Sequence, residues 1–278
     1  MGQDSKAMDR DTTTVSTNGP TGFNQTNRPT GFSQTNRPTG FNQTNRPTGF
    51  SQTNRPTGLS QTSRPTGFNQ GDYPVITSES VTAALQQLDI AREDVEIGMI
   101  WAQTTAGVIG DGKDMPWYLP EDLEHFKQAT VNYPVIMGRT SWEALDDGFR
   151  PLPRRENYVV TRNESYEAPG GHVFTSLDHA IAAAAQFQLQ HNTDRPALVW
   201  ILGGGQIYAQ CMAVADRVVI TEIDMSAPAR FQVHAPAVDE PDFTLQSASP
   251  WRVSQKGHTV DGEGELKFRI CEWTNAHR

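Results

Sequence analysis

The amino-acid sequence predicts an α/β domain: a central, mostly parallel sheet with an antiparallel C-terminal edge and flanking helices, preceded by a low-complexity tail. Three observations predict it. From about residue 97, short apolar runs alternate with segments of helical period, the pattern of strands covered by helices. The last apolar runs follow one another with no helix between them, which suits an antiparallel edge. The polarity is also unevenly spread. The whole chain is 36% hydrophobic over 278 residues with a mean hydropathy of -0.56, and much of that polarity comes from residues 1–75.

In the tail, residues 20–70 repeat a nonapeptide: PTGFNQTNR (20–28), PTGFSQTNR (29–37), PTGFNQTNR (38–46), PTGFSQTNR (47–55) and PTGLSQTSR (56–64), closed by a partial unit PTGFNQ. A solenoid needs enough apolar residues per repeat to stack a core. Each unit here has one Phe or Leu, with a Pro and a Gly that break helix and strand alike. The segment reads as a disordered tail with fluctuating Pro-Thr-Gly turns. Regularly spaced Arg and Phe could contact a partner or RNA weakly, but the arginines are too dilute to argue nucleic-acid binding, and the favoured reading is a tolerated flexible extension; its partner is left open. Residues 76–96 read as a linker with a short helix, capped by Ser78 or Ser80 and carrying Val81, Leu85 and Leu88 on one face.

The body, residues 97–275, is roughly 180 residues, a single-domain size. GMIWA (98–102) is a buried strand. PEDLEHFKQATV (120–131) is a helix with Pro at its start and Leu123 and Phe126 on one face. PVIMG (134–138) and NYVVT (157–161) are further strands. LDHAIAAAAQ (177–186) is an Ala-rich helix. ALVWILGGG (197–205) is a strand ending in glycines, with QIYAQCM (206–212) starting a helix directly after it. DRVVITEID (216–224) and LKFRICEW (266–273) are the last clear strands.

Charge and composition exclude several classes. The net charge is -9. Residues 1–75 hold seven basic and four acidic residues, +3, leaving -12 for the rest. An acidic body disfavours nonspecific binding to nucleic acid or anionic membrane. No apolar run approaches the roughly 20 residues that span a bilayer. MGQDSKAMDR has no apolar stretch for a secretory leader, and Lys6 stands where a myristoylation motif wants Ser or Thr. Cys211 and Cys271 offer neither a disulfide framework nor metal-ligand spacing. The expectation is a cytoplasmic monomer without a metal.

Four places carry candidate chemistry. Asp122, in WYLPEDLEHF, falls beside the helix face of Phe126, whereas Glu121 and Glu124 can look outward. A carboxylate on the edge of an apolar cleft suits a planar amidine-like group; an ordinary acidic first turn fits the same residues. Gly203, Gly204 and Gly205 sit between a strand and a helix, where free amides can hold a phosphate or simply make a tight turn. In MGRTSWEAL (137–145), Arg139, Thr140 and Ser141 open a helix after a strand, and Arg162 follows the next strand. Together they suit a phosphomonoester; a capped helix with a surface Arg is the plain alternative. In RPLPRR (150–155), two prolines hold an extended loop that presents Arg154 and Arg155, either of which can take a carboxylate bidentately.

In order, IWAQTTAGVIG (100–110), DMPWYLPEDLEHFK (114–127), PVIMGRTSWEAL (134–145), RPLPRRENYVVTR (150–162), WILGGGQIYAQ (200–210) and VVITEID (218–224) resemble the bacterial-type dihydrofolate reductases, over nearly the whole body. The resemblance implies that fold, and reduction of 7,8-dihydrofolate to tetrahydrofolate with NADPH by hydride transfer to C6 and protonation at N5. It implies that Asp122 anchors the pterin and raises the basicity around N5, that Thr221 bonds this carboxylate, and that Trp117 positions an ordered water. Met115 becomes the tip of a mobile loop with Gly110 and Gly112 as hinges. Ile100, Ala102, Leu123, Phe126, Leu145, Leu152 and Leu202 become walls around the pterin and aminobenzoyl rings, and Arg155 the partner of the glutamate α-carboxylate. Gly203 and Gly204 become a cis pair that meets the pyrophosphate with Gly205, Gln206 and Ile207, and Tyr208 lies near the nicotinamide. Ala102, Ile109, Gly138, Arg139, Thr140, Ser141, Thr161 and Arg162 complete the cofactor set, and antifolates become expected inhibitors.

Some residues depart from the pattern. Leu202 stands before the glycines where Ile is usual, Trp101 is bulky where a small residue is common, and DDGF (146–149) lengthens the loop before RPLP. The segment 226–250 carries no matching motif. A pterin or pyrimidine reductase of the same fold, or a non-catalytic module displaying the repeat, are the competing readings. Asp122, Trp117, Arg155 and the glycines together argue against both.

Overall fold

The fold follows from strands that are apolar on both faces and so must be covered twice. It is described from a computed structural model over residues 75–192, 196–239, 241–262 and 264–277; the repeat lies outside the described residues. Helix α1 spans Ser78–Gln86. Strand β1 (Val95–Thr104) leads through β2 (Val108–Gly110) and β3 (Trp117–Tyr118) to α2 (Pro120–Thr130). Then come β4 (Val135–Gly138), α3 (Arg139–Glu143), β5 (Asn157–Val160), β6 (His172–Phe174) and α4 (Leu177–His191). Strand β7 (Ala197–Ile201), α5 (Gly205–Cys211) and β8 (Arg217–Asp224) follow. The chain closes with β9 (Val233–His234), β10 (Phe243–Ala248), β11 (Arg252–Val253), β12 (His258–Thr259) and β13 (Lys267–Asn275).

The main sheet runs β10-β13-β8-β1-β7-β4-β5-β6, with β11 added to β13. Strands β8, β1, β7, β4, β5 and β6 are parallel. Strand β13 runs antiparallel to both β8 and β10, so the expected mixed sheet and its antiparallel edge are present. Along β1, Val95, Ile97, Met99 and Trp101 enter one core cluster while Ile100 enters another, as strand alternation requires. Gly98 is small for a reason: a Cβ there would stand 2.8 Å from the Trp200 ring.

Residues 76–96, expected as a linker, are built into this body. Thr77, rather than Ser78 or Ser80, caps α1, in a reciprocal capping box with Ser80. Ile76, Val81, Ala84, Leu85 and Ile90 join the core cluster that holds Ala180, Ile181 and Ala184 of α4. The Arg92 guanidinium then donates to the Val95 carbonyl at 2.7 Å and pairs with Asp216 at 3.0 Å. Asp216 in turn accepts the Ile97 amide at 2.6 Å. The segment fixes the start of β1 against the start of β8.

Two small sheets frame the loop between β1 and α2. Strand β2 pairs with β9, and β3 with β12. The poorly patterned region 226–250 therefore contributes β9 to this loop and β10 to the sheet edge.

Candidate active site

Helix α2 begins without a side-chain cap: Leu119 is its N-cap and Pro120 its first residue. That start sets Asp122 in the first turn, with its amide donating to the Leu119 carbonyl at 3.1 Å. The residue is half-buried. Desolvation of its carboxyl raises the pKa to about 6, against a smaller lowering by a hydrogen bond with Thr221. Thr221 is itself buried, on β8, in register with Ala102 of β1. Tyr208 is close enough for the Asp122 charge to raise its hydroxyl further above the usual phenol range, after burial itself. The Tyr208 hydroxyl donates to the Ile100 carbonyl at 2.7 Å, and its ring lies 4.7 Å from that of Trp101. Trp101 was expected only as a bulky departure; its role as the support of Tyr208 is not visible in a linear sequence.

Trp117 of β3 is buried, and its Nε1 has no hydrogen-bond partner among the described residues. It packs with Leu119 and Ile223, and Ala102 lies against the same cluster. Of the other expected walls, Ile100 and Leu152 are buried in one cluster, and Phe126, Leu145 and Leu202 pack against it. Leu123 stands apart from these, 45% exposed on α2. Met115 is also 45% exposed. Its loop is shaped by Asp111, whose carboxylate accepts the amides of Lys113 and Asp114 at 2.9 and 2.7 Å. Those amide bonds lower the Asp111 pKa. Gly110 and Gly112 both take positive φ, 152° and 98°.

The RPLPRR loop is organised by Asn157, a buried polar residue at the start of β5. Its carboxamide oxygen accepts the Leu152 amide at 3.0 Å, and its Nδ2 donates to the carbonyls of Leu152 and Arg155 at 3.1 and 2.7 Å. Arg155 is thereby aimed along α2. Its Nη1 donates to the Thr130 hydroxyl at 3.0 Å, and its guanidinium lies 5.8 Å from the Phe126 ring centroid.

A second group gathers where neighbouring parallel strands end, at the carboxyl edge where α/β sheets bind ligands. The Gly138 amide donates to the Gly203 carbonyl at 2.6 Å. Gly138 caps α3, Gly204 caps α5, and the Gly203–Gly204 peptide is cis. At Gly203, φ is +93° and a Cβ would stand 2.5 Å from the Tyr208 ring; at Gly204 it would stand 3.3 Å from the Ser141 hydroxyl. Ile207 lies below, 3.1 Å from where a Gly138 Cβ would be. Gly205 and Gln206 open α5, and Arg139, Thr140 and Ser141 open α3. Arg139 holds Glu143 at 3.7 Å and lies 5.6 Å from the Tyr166 ring centroid. Thr161 and exposed Arg162 follow the end of β5, beside β4. Ile109 of β2 packs against the large core cluster. The two short helix starts therefore bring the GGG and GRTS segments side by side.

Glu121 does not look outward. Its carboxylate accepts the Ser254 hydroxyl at 2.8 Å and the Gln255 amide at 2.9 Å, tying α2 to the loop before β12. No sequence motif marks residues 254–255. A surface cavity of about 390 Å³ beside Trp142, Glu143, Asp147 and Arg150 contains none of the expected site residues. Two of its acids are paired, Glu143 with Arg139 and Asp147 with Arg150 at 2.5 Å.

Comparison with known proteins converges on one family. The family model for dihydrofolate reductase matches residues 96–265. The dihydrofolate reductase of Mycobacterium tuberculosis H37Rv is 38% identical over 178 residues, covering 64% of this chain and 96% of the relative. That of Mycobacterium leprae TN is 44% identical over 128 residues, 46% of this chain and 72% of the relative. A solved dihydrofolate reductase from Enterococcus faecalis, complexed with NADP(H) and RAB-propyl, aligns with a TM-score of 0.54 at 26% identity. The alignment covers 66% of this chain and 97% of that one.

Proposed function

The chain belongs to the dihydrofolate reductase family, and from that premise we infer that it reduces 7,8-dihydrofolate to 5,6,7,8-tetrahydrofolate with NADPH, feeding one-carbon metabolism. The observation that carries the assignment of roles is the Asp122 carboxyl, bonded to Thr221 and pushed up to about 6 by burial. A carboxylate here accepts two parallel hydrogen bonds from N3 and the 2-amino group of a pterin, geometry that an amidine-like edge matches. It orients the ring, and its negative charge favours a proton at N5. The unpartnered indole N–H of Trp117 needs an acceptor, and it serves as the anchor for an ordered water at the same edge.

Ile100, Ala102, Leu123, Phe126, Leu145, Leu152 and Leu202 line the pterin and aminobenzoyl rings, and Arg155 takes the α-carboxylate of the substrate's glutamate. Antifolates that present the same amidine edge compete for Asp122. The residues where β4 and β7 end suit a dinucleotide, because Gly203, with no room for a side chain against Tyr208, and Gly204 bring bare backbone to the start of α5. Gly138, Gly203, Gly204, Gly205, Gln206 and Ile207 hold the pyrophosphate of NADPH; Thr140, Ser141 and Thr161 hold the ribose, with Arg139 and Arg162 on its 2'-phosphate. NADPH, when bound, supplies the hydride that reaches C6. Arg139 is free to exchange partners, since its pair with Glu143 is exposed and weak. Met115 and its loop exclude water from the reacting ring faces on closure.

Residues 1–75 are not required for this reaction. We propose that the site works in the cytoplasm as a monomer; its two cysteines are free and buried. The decisive measurement is NADPH oxidation on addition of dihydrofolate to the full chain. Turnover is expected; none in a folded preparation would overturn the assignment.

A further inference from the structure

Glu121 and Asp122 are neighbours in the first turn of α2, yet only Asp122 has a part in the reaction as described. One oxygen of the Glu121 carboxylate accepts the Ser254 hydroxyl at 2.8 Å and the other accepts the Gln255 amide at 2.9 Å. Burial by itself raises the pKa of this carboxyl. Hydrogen bonds, led by that from Gln255, outweigh burial and leave it below the ordinary carboxylate value. Glu121 is therefore ionised at neutral pH, and its bonds are of the stronger, charge-assisted kind.

Ser254 organises the turn that follows it. Its Oγ accepts the Gly257 amide at 2.7 Å, and its own amide donates to the Leu266 carbonyl at 2.8 Å. A Cβ at Gly257 would stand 2.6 Å from that Oγ and 2.9 Å from the Tyr118 carbonyl, so the turn lies directly against β3. His258 and Thr259 then pair with Tyr118 and Trp117. The His258 ring lies 5.3 Å from that of Tyr118, and the Val260 amide donates to the Pro116 carbonyl at 3.1 Å. Residues 254–260 thus form a strap across Pro116, Trp117 and Tyr118, and Glu121 fastens that strap to α2.

The segment under the strap borders the site on two sides. Pro116 follows Met115, and Trp117 carries the buried Nε1 that lacks a partner among the described residues. The loop from Asp111 to Met115 hangs between two anchors, β2 on β9 and β3 on β12. A ladder of two residue pairs is weak alone, so the second anchor depends on the bonds around it.

We propose, on the reading of the cleft as the site for dihydrofolate and NADPH, that Glu121 is a positioning residue: by fastening the strap to α2 it fixes the root of the Met115 loop and the indole of Trp117 relative to Asp122. Groups that must be held to a fraction of an ångström are held by neighbours whose own bonds are satisfied. Here one carboxylate does so across 133 positions of sequence.

The test measures kcat, both KM values and the pH profile of kcat/KM in the full chain, at a temperature where circular dichroism shows each variant folded. Glu121→Ala and Ser254→Ala loosen the strap from its two sides. Each should lower kcat by about 3- to 10-fold and raise the KM for NADPH by about 2- to 5-fold, with the KM for dihydrofolate within about 2-fold of wild type. Glu121→Gln keeps an acceptor oxygen and should fall between wild type and Glu121→Ala. In all three variants the apparent pKa of the profile should stay where it is. Lower melting temperatures with unchanged kcat and KM values would make the tether purely structural and overturn the proposal. A profile displaced to lower pH in Glu121→Gln but not in Ser254→Ala would overturn it too, since Glu121 would then act through its charge on Asp122. Failure of the folded wild type to turn over dihydrofolate would strike the assigned reaction instead, so the two failures are told apart.

Discussion

Asp122, which we propose as the anchor of the pterin, is held in the fold at a cost in stability, and both effects can be measured on one substitution. Its carboxyl is raised from an ordinary 3.8 to about 6 by burial. Between those values the native state binds a proton that the unfolded chain releases. The contribution of this group to stability is therefore fully present below the unfolded value and lost as pH rises through about 6. The loss amounts to about 1–3 kcal/mol, the lower end allowing for water in the open cleft. Asp122→Asn removes the ionisable group while keeping its shape. The substrate-free variant should melt higher than wild type at pH 8, and the advantage should vanish near pH 4. In the assay, the same variant should lose most of its activity at neutral pH, about 100-fold or more. It should recover part at acid pH, where substrate arrives already protonated. Full activity at pH 7 would remove Asp122 from its role. A lower melting temperature at pH 8 would mean that the Thr221 hydrogen bond outweighs desolvation.

At the scale of elements, the site is a set of strand ends and helix starts, and the tightest of these junctions is β7–α5. Gly203 is confined by φ +93° and by the Tyr208 ring, 2.5 Å from a would-be Cβ. Tyr208 cannot retreat, because its hydroxyl is held by the Ile100 carbonyl and its ring lies against Trp101. Gly204 meets only the Ser141 hydroxyl, at 3.3 Å and at ordinary φ, and that hydroxyl can rotate. Gly203→Ala should therefore cost about 2–4 kcal/mol in urea denaturation and raise the KM for NADPH. Gly204→Ala should cost well under half of that. Equal stability of the two variants would refute the steric account. These junctions were legible because long apolar strands such as β1 and β7 announce themselves by composition, and because Asp122, Arg155 and the glycines sit within contiguous motifs. What could not be read joins distant segments through few residues. The two-residue strands β9, β11 and β12 have no periodicity to detect. The bonds from Glu121 to Ser254 and Gln255 depend on the path of a loop that no pattern constrains, and so a carboxylate that looked solvent-facing became a tether.

For the whole molecule, the question is where the enzyme begins. The sequence divides the chain by composition, placing residues 1–75 in the tail and leaving 76–96 between tail and body. The structure divides it by burial, and the core already starts at Ile76. Helix α1 is too short, at nine residues, to be stable alone, and its amphipathic face meant little until its partner was known. That partner is α4, whose alanines permit close approach: Ala180, Ala184 and Ala185 are fully buried, as are Val81 and Leu85 opposite. Each large apolar side chain sequestered there contributes about 1.5–3 kcal/mol, against a total stability of about 5–15 kcal/mol for a domain. Losing Ile76, Val81, Leu85 and Ile90 together would therefore consume most of that margin. Two truncations separate the compositional boundary from the physical one. Removal of residues 1–75 deletes the repeat and leaves every one of these contacts, so kcat and melting temperature should match the full chain. Removal of residues 1–91 deletes only sixteen further positions and should abolish cooperative unfolding in calorimetry and leave the protein prone to aggregate through the bared face of α4. A cooperative, active enzyme lacking residues 1–91 would show that α1 merely rests on the body. A large loss of activity on removing residues 1–75 alone would show instead that the repeat takes part in the reaction.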